Sequence, residues 1–191
     1  MKVSSSLRSA GFGFAKVSYD PQVGQVLGKA IADLTSKAMG GHMTFQDSLK
    51  QRLELIKPML PQIEEFLKTH PTTLTPGVEE LVQLLHKNAT PVYLISGGFR
   101  RIIAPIAEKL NIPKSNIFAN RLIFSNTGEY EGFDESELTS QSGGKGKVIE
   151  RLKNLYGYRN VVMIGDGITD FEACPPGDAF IGIIHSLVTV L

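Results

Sequence analysis

Three short stretches carry the residues able to do chemistry. In Gly165-Asp166-Gly167-Ile168-Thr169-Asp170, two carboxylates stand one helical turn apart and can reach the same point. Val161 to Ile164, just ahead, are all apolar and read as a strand buried on both faces. Two glycines around Asp166 make a tight turn and leave its carboxylate at the strand's C-terminal end, where open α/β sheets bind ligands. Two hard oxygen ligands there suit Mg²⁺, which takes few carboxylates and keeps waters and phosphate oxygens. The plain alternative is a polar turn with Asp170 capping the next helix, and Gly-Asp-Gly alone favours it.

The second stretch is Ser96-Gly97-Gly98, after an apolar run and before a helix. Glycines let backbone approach an anion, a helix N-terminus offers free N–H groups, and the serine hydroxyl adds a donor. Alone, it is as well explained by a plain strand-to-helix turn. The third is Lys145, behind Gly143-Gly144 at a helix start. A lysine there opposes the helix dipole unless an anion is nearby; a solvated surface lysine is the ordinary alternative. The segment is not a P-loop, since the G-x-x-x-x-G-K-[ST] spacing is missing. Together, one hydroxyl, one ammonium and two carboxylates at strand-to-helix junctions make a set that handles phosphoryl groups.

These residues need a parallel sheet to converge. Apolar residues at helical spacing predict three early helices: Gly28 to Ala38, one capped by Thr44 with a stripe of Phe45, Leu49, Leu53 and Ile56, and one opened by Pro61. Arg52 sits beside that stripe. No strand separates them, so they read as a helical subdomain over residues 24–72. Then helices and strands alternate: a helix from Val78, a strand Pro91 to Ile95, a helix Arg100 to Leu110, a hairpin from Ile117 to Phe133, and a helix after Gly144 with Val148, Ile149, Leu152 and Leu155 inward. The strand Val161 to Ile164 and a last short strand Ala179 to Gly182 complete a parallel α/β sheet.

The 191 residues are 42% apolar and 20% charged, ordinary for a soluble globular protein with one core and a small insertion. A net charge of +1 gives no bulk pull toward nucleic acid or membrane, and neither is expected as a partner. No apolar run approaches the ~20 residues needed to span a bilayer. The single cysteine, Cys174, rules out an internal disulfide framework, fits a reducing compartment and is assigned no catalytic role. Met1 to Tyr19 holds five serines and three basic residues without an acid, faintly like a transit peptide. A cytoplasmic location is expected, with organelle targeting left open.

The order Ile95-Ser96-Gly97-Gly98, Gly144-Lys145-Gly146-Lys147 and Gly165 to Asp170 resembles the second, third and fourth motifs of haloacid-dehalogenase-like phosphatases. Ala38-Met39-Gly40-Gly41, LISGGFR from Leu94, IFANR from Ile117, Gly132-Phe133-Asp134-Glu135 and SGGKGK from Ser142 narrow the resemblance to their phosphoserine phosphatase branch, from Gly28 to Gly182. The resemblance implies a Rossmann-like parallel core over 73–191, a helical cap over 24–72, a hairpin flap near 120–134, and a divergent segment 1–23. It implies Mg²⁺-dependent hydrolysis of the small molecule O-phosphoserine, the last step of serine synthesis, with a homodimer left open. On that pattern Asp166 binds the metal and Asp170 supports it. Ser96, Gly97, Gly98 and Lys145 hold the phosphoryl group, with Ser96, Lys145 and Asp170 counted as catalytic. Thr169 lies against substrate, and the cap adds Met39, Gly40 and Arg52, the last as a two-pronged clamp on the substrate carboxylate.

The family's first motif, Asp-x-Asp-x-Thr on a central strand, has no counterpart: no Asp-x-Asp occurs, and the only acid before Asp33 is Asp20. That motif supplies the nucleophile and the general acid/base. Its absence leaves the strands at Val92 to Ile95 and Val161 to Ile164 with unpaired edges, for which Phe12 to Tyr19 is a weak substitute. After Gly182 the usual last strand and helix are also missing, so the chain reads as a terminally altered form. Three outcomes follow: a phosphatase by family, a catalytically dead phosphate-binding or regulatory form, or an unstable fragment.

Overall fold

Alternate residues of the parallel strands face opposite ways and divide the core into two layers. The computed structural model describes residues 2–3, 30–38, 40–70, 74–184 and 187–190. In chain order these form β1 (Lys2–Val3), α1 (30–38), α2 (Phe45–Ile56), α3 (Leu60–Thr69), α4 (Val78–Lys87), β2 (Leu94–Phe99), α5 (Arg100–Lys109) and β3 (Ile117–Asn120). The hairpin strands β4 (Leu122–Phe124) and β5 (Tyr130–Phe133) follow, then α6 (Gly144–Tyr156), β6 (Val162–Gly165), α7 (Ile168–Phe171), β7 (Ala179–Ile184) and β8 (Leu187–Val190). Strand β6 pairs in parallel with β1 on one side and β7 on the other, and β2 pairs in parallel with β3.

On one side of these strands Leu94, Ile117, Ala119 and Ile164 pack with Val78 and Val82 of α4 and Ile103 and Ile106 of α5. On the other, Tyr93, Ile95, Met163 and Phe180 meet Val148, Ile149 and Leu152 of α6. Each such side chain removed from water contributes ~1.5–3 kcal/mol, which holds the strand ends in place. Helices α2 and α3 form a third cluster. Leu49 and Leu53 of α2 and Ile63 and Phe66 of α3 bury against Phe99 and Ile102 of the core and Phe133 of the hairpin. The Thr44 hydroxyl caps α2 by accepting from the Asp47 N–H at 3.0 Å, as the spacing predicts.

The structure departs from the sequence expectation in four places. Strand β2 runs on to Phe99 instead of ending at Ile95, so Ser96-Gly97-Gly98 lies within a strand and not in a turn. Its register jumps from Ile95↔Phe118 to Phe99↔Asn120, four steps against two, and the glycines absorb the surplus as a bulge. Leu155 faces outward at 63% exposure, because Val148, Ile149 and Leu152 already fill the inner stripe of α6. The chain beyond Gly182 continues: β7 runs to Ile184 and β8 returns antiparallel beside it. The edge of β6 is not left open either. Lys2↔Met163 and Val3↔Ile164 pair there, and β1 also touches β2 without forming a ladder. Phe12 to Tyr19 lies outside the described residues.

Candidate active site

The C-terminal end of β6 is built around a buried carboxylate. Asp170 is 1% exposed, and a methyl group on Gly165 would overlap its carboxyl group. Glycine at 165 is therefore what allows Asp170 to fold back under the strand end. There its Oδ2 accepts the Gly167 N–H at 3.2 Å, so the capping role read from the sequence is present. Its Oδ1 accepts from the Lys145 Nζ at 2.7 Å. The lysine at the start of α6 thus has the anion that its position against the helix dipole calls for. Glycine also seats that helix start: a methyl on Gly144 would overlap the Leu138 carbonyl, and Gly143 takes the left-handed conformation at φ 66°.

Asp166 is half-buried at the turn after β6, and Thr169 is exposed on α7. Among the described residues, no group of three His, Cys, Asp or Glu side chains converges. Asp166 is a hard oxygen donor of the kind Mg²⁺ takes alongside waters and phosphate oxygens, whereas both Asp170 oxygens are already engaged by Lys145 and the Gly167 N–H.

The bulge in β2 makes the second wall. The Ser96 hydroxyl accepts the Gly98 N–H at 3.0 Å and shapes the loop from within. Asn120, fully buried, donates from Nδ2 to the Gly97 carbonyl at 2.7 Å and accepts the Thr139 hydroxyl at 2.9 Å. The Phe45 ring, at the start of α2, lies over Gly97: a methyl there would stand 3.1 Å from Phe45 Cζ. The Phe45 N–H also donates to Ser142 Oγ at 3.2 Å, tying α2 to the segment just ahead of Lys145.

Of the cap residues, Gly40 is exposed in the turn after α1, and its N–H donates to the Ser36 carbonyl at 2.8 Å. Met39 lies outside the described residues. Arg52 is 5% exposed, so it is not a solvated helix-edge charge. Its Nε donates to the Ser48 carbonyl at 3.0 Å, its Nη1 to Thr35 Oγ1 at 3.4 Å, and its guanidinium lies 5.8 Å from the Phe45 ring centroid. Burial lowers its pKa from the ordinary value, although an arginine remains charged. Asn120, Thr139, Ser142 and the placement of Phe45 over Gly97 are site features that the sequence reading missed. Only Asn120 carried a signal, an amide closing an apolar strand that needs a buried partner.

Residues 11–175 match the family of haloacid dehalogenase-like hydrolases. Phosphoserine phosphatase of Mus musculus is 55% identical over 153 residues, 80% of this chain and 68% of that protein. The chain belongs to the haloacid dehalogenase-like hydrolases. A chloroplastic phosphoserine phosphatase of Arabidopsis thaliana is 51% identical over 159 residues, 83% of this chain and 54% of that one. A phosphoserine phosphohydrolase-like protein of Francisella tularensis superposes with a TM-score of 0.73 at 34% identity, over 85% of this chain and 76% of its own. The α/β core with its parallel strands is that of this hydrolase family, and its likeness to the phosphoserine phosphatases makes the chain a member of the phosphatase enzymes. Among the described residues no helix is long and apolar enough to cross a membrane.

Proposed function

We propose that the chain binds O-phosphoserine with Mg²⁺ in the manner of a phosphoserine phosphatase. The observation that carries this is the meeting of Lys145 and Asp170, 25 positions apart, at the end of β6. It joins two of the motifs on which the family resemblance rests. In this reading Ser96, Gly97, Gly98 and Lys145 hold the phosphoryl group, Asp166 and Asp170 form the metal side, and Thr169 lies against substrate. Met39 and Gly40 line the cap side, and Arg52 answers the substrate carboxylate from its buried place beside Phe45. Mg²⁺, when bound, offsets the charge of the phosphate dianion. Lys145 adds its own positive charge, held in position by Asp170. The reaction class is phosphate-monoester hydrolysis, yielding serine and phosphate as the last step of serine synthesis.

Turnover by the chain itself is proposed to be slow. The sequence has no Asp-x-Asp, so the family's nucleophile and acid/base have no counterpart. Removing a nucleophile from a covalent mechanism costs about a millionfold in one well-studied serine protease. A phosphoserine-binding, regulatory role is therefore the second reading. Calorimetric titration should show O-phosphoserine binding that Lys145→Ala weakens at least tenfold. Phosphate release should not exceed that of an Asp166→Asn variant. Clear release that disappears in Asp20→Asn would assign the nucleophile to Asp20 and overturn the slow-turnover reading.

A further inference from the structure

A cleft of about 230 Å³ opens between the start of β3 and the turn before it, the start of α5, residues 136–139 and the face of α6. None of Ser96, Lys145, Asp166 or Asp170 lines it. Four cations do: Arg100, Lys114, Arg121 and Arg151, against the single carboxylate of Glu137. Glu137 Oε1 is shared, at 3.8 Å from Arg100 and 3.4 Å from Arg121. Arg100 is fixed to backbone, its Nη1 donating to the Lys114 carbonyl at 3.3 Å and its Nη2 to the Ile117 carbonyl at 2.5 Å. Its Nε is buried with no acceptor among the described residues.

We propose that this cleft is a second anion site, which binds a small phosphate-type oxyanion. Guanidinium groups match tetrahedral and planar oxyanions by paired hydrogen bonds, and three of them line this cleft, Arg121 and Arg151 at exposed positions. The volume is below the ~300–1,000 Å³ usual for drug-sized ligands, so the occupant is small. Excess positive charge in a concave wall concentrates anions there. The site is distinct from the β6 end yet close to it in bonding. Thr139 on the cleft wall donates to Asn120, and Asn120 donates to Gly97 of the bulge.

The test is equilibrium dialysis of the full chain against radiolabelled inorganic phosphate, in a Lys145→Ala background that disables the first site. Saturable binding should persist there. Adding Arg121→Ala and Arg151→Ala, both at exposed positions that folding tolerates, should weaken it at least tenfold. Glu137→Gln, which removes the competing carboxylate at constant shape, should tighten it several-fold. Binding that Lys145→Ala alone abolishes overturns the proposal. So does binding that neither the arginine pair nor Glu137→Gln changes. Either result leaves the reading of the β6 end untouched.

Discussion

The ends of β6 and β2 offer two ways of building one wall of the proposed phosphate site. At β6 the design is closed. Asp170 is almost fully buried, sits against Gly165, and spends both oxygens on Lys145 and the Gly167 N–H. At β2 the design is open. Ser96, Gly97 and Gly98 are half-buried, the register slips, and the loop is held by one serine hydroxyl and one asparagine amide. A charge pair with one partner buried fixes geometry, because Asp170 without Lys145 would be a buried, uncompensated charge. A glycine bulge held by neutral hydrogen bonds adapts instead, because each bond is worth only ~1 kcal/mol net. The first wall presents charge at a set point, and the second can adjust to what it meets.

That contrast makes ordered predictions. Gly165→Ala should be the most damaging, since a methyl there displaces the Asp170 carboxyl and breaks the Lys145 pair. A loss of ~3–5 kcal/mol is expected, the cost of breaking a buried pair, read as a lower midpoint in urea unfolding. A midpoint unchanged from wild type would show that the β6 end is not closed. Lys145→Ala should cost about 3 kcal/mol, the low end of that range, because the lysine side chain is 16% exposed and water can reach the site. Asn120→Ala removes the tie to Gly97 and strands the Thr139 hydroxyl, for ~1–3 kcal/mol. If this variant proved less stable than Lys145→Ala, the ranking of the two walls would be reversed. Gly97→Ala should be mildest, at ~1 kcal/mol, because the Phe45 ring can give by a few tenths of an ångström. Its effect should appear in O-phosphoserine affinity, measured by titration, more than in unfolding.

Much of this was legible from periodicity. The helical stripes of α2 and α4, the strand at Val162 to Gly165 and the hairpin turn at Gly128 stand where the apolar spacing puts them. Local patterns set such elements because each stripe must find cover and each glycine turn has few alternatives. The bulge in β2 was not legible. Ser-Gly-Gly before a helix reads as a turn, and only pairing with β3, where Asn120 meets Phe99, makes it a strand. The outward face of Leu155 was missed for a related reason. Helical spacing allowed it inward, and the packing of three neighbours left no room.

The order of Ser96, Lys145, Asp166 and Asp170, the glycines around them and the hydrolase family were determined by the sequence alone. So was the lack of an Asp-x-Asp. Residue type and spacing are local properties, and they carry the chemistry that a group is able to do. Only the tertiary structure decided which partners those groups keep. It paired Asp170 with Lys145, laid Phe45 over Gly97, buried Arg52 on α2, set Arg100 and Arg121 against Glu137 and lined one cleft with four cations. Those choices depend on which residues are excluded from water together, and that is settled by packing between segments far apart in the chain.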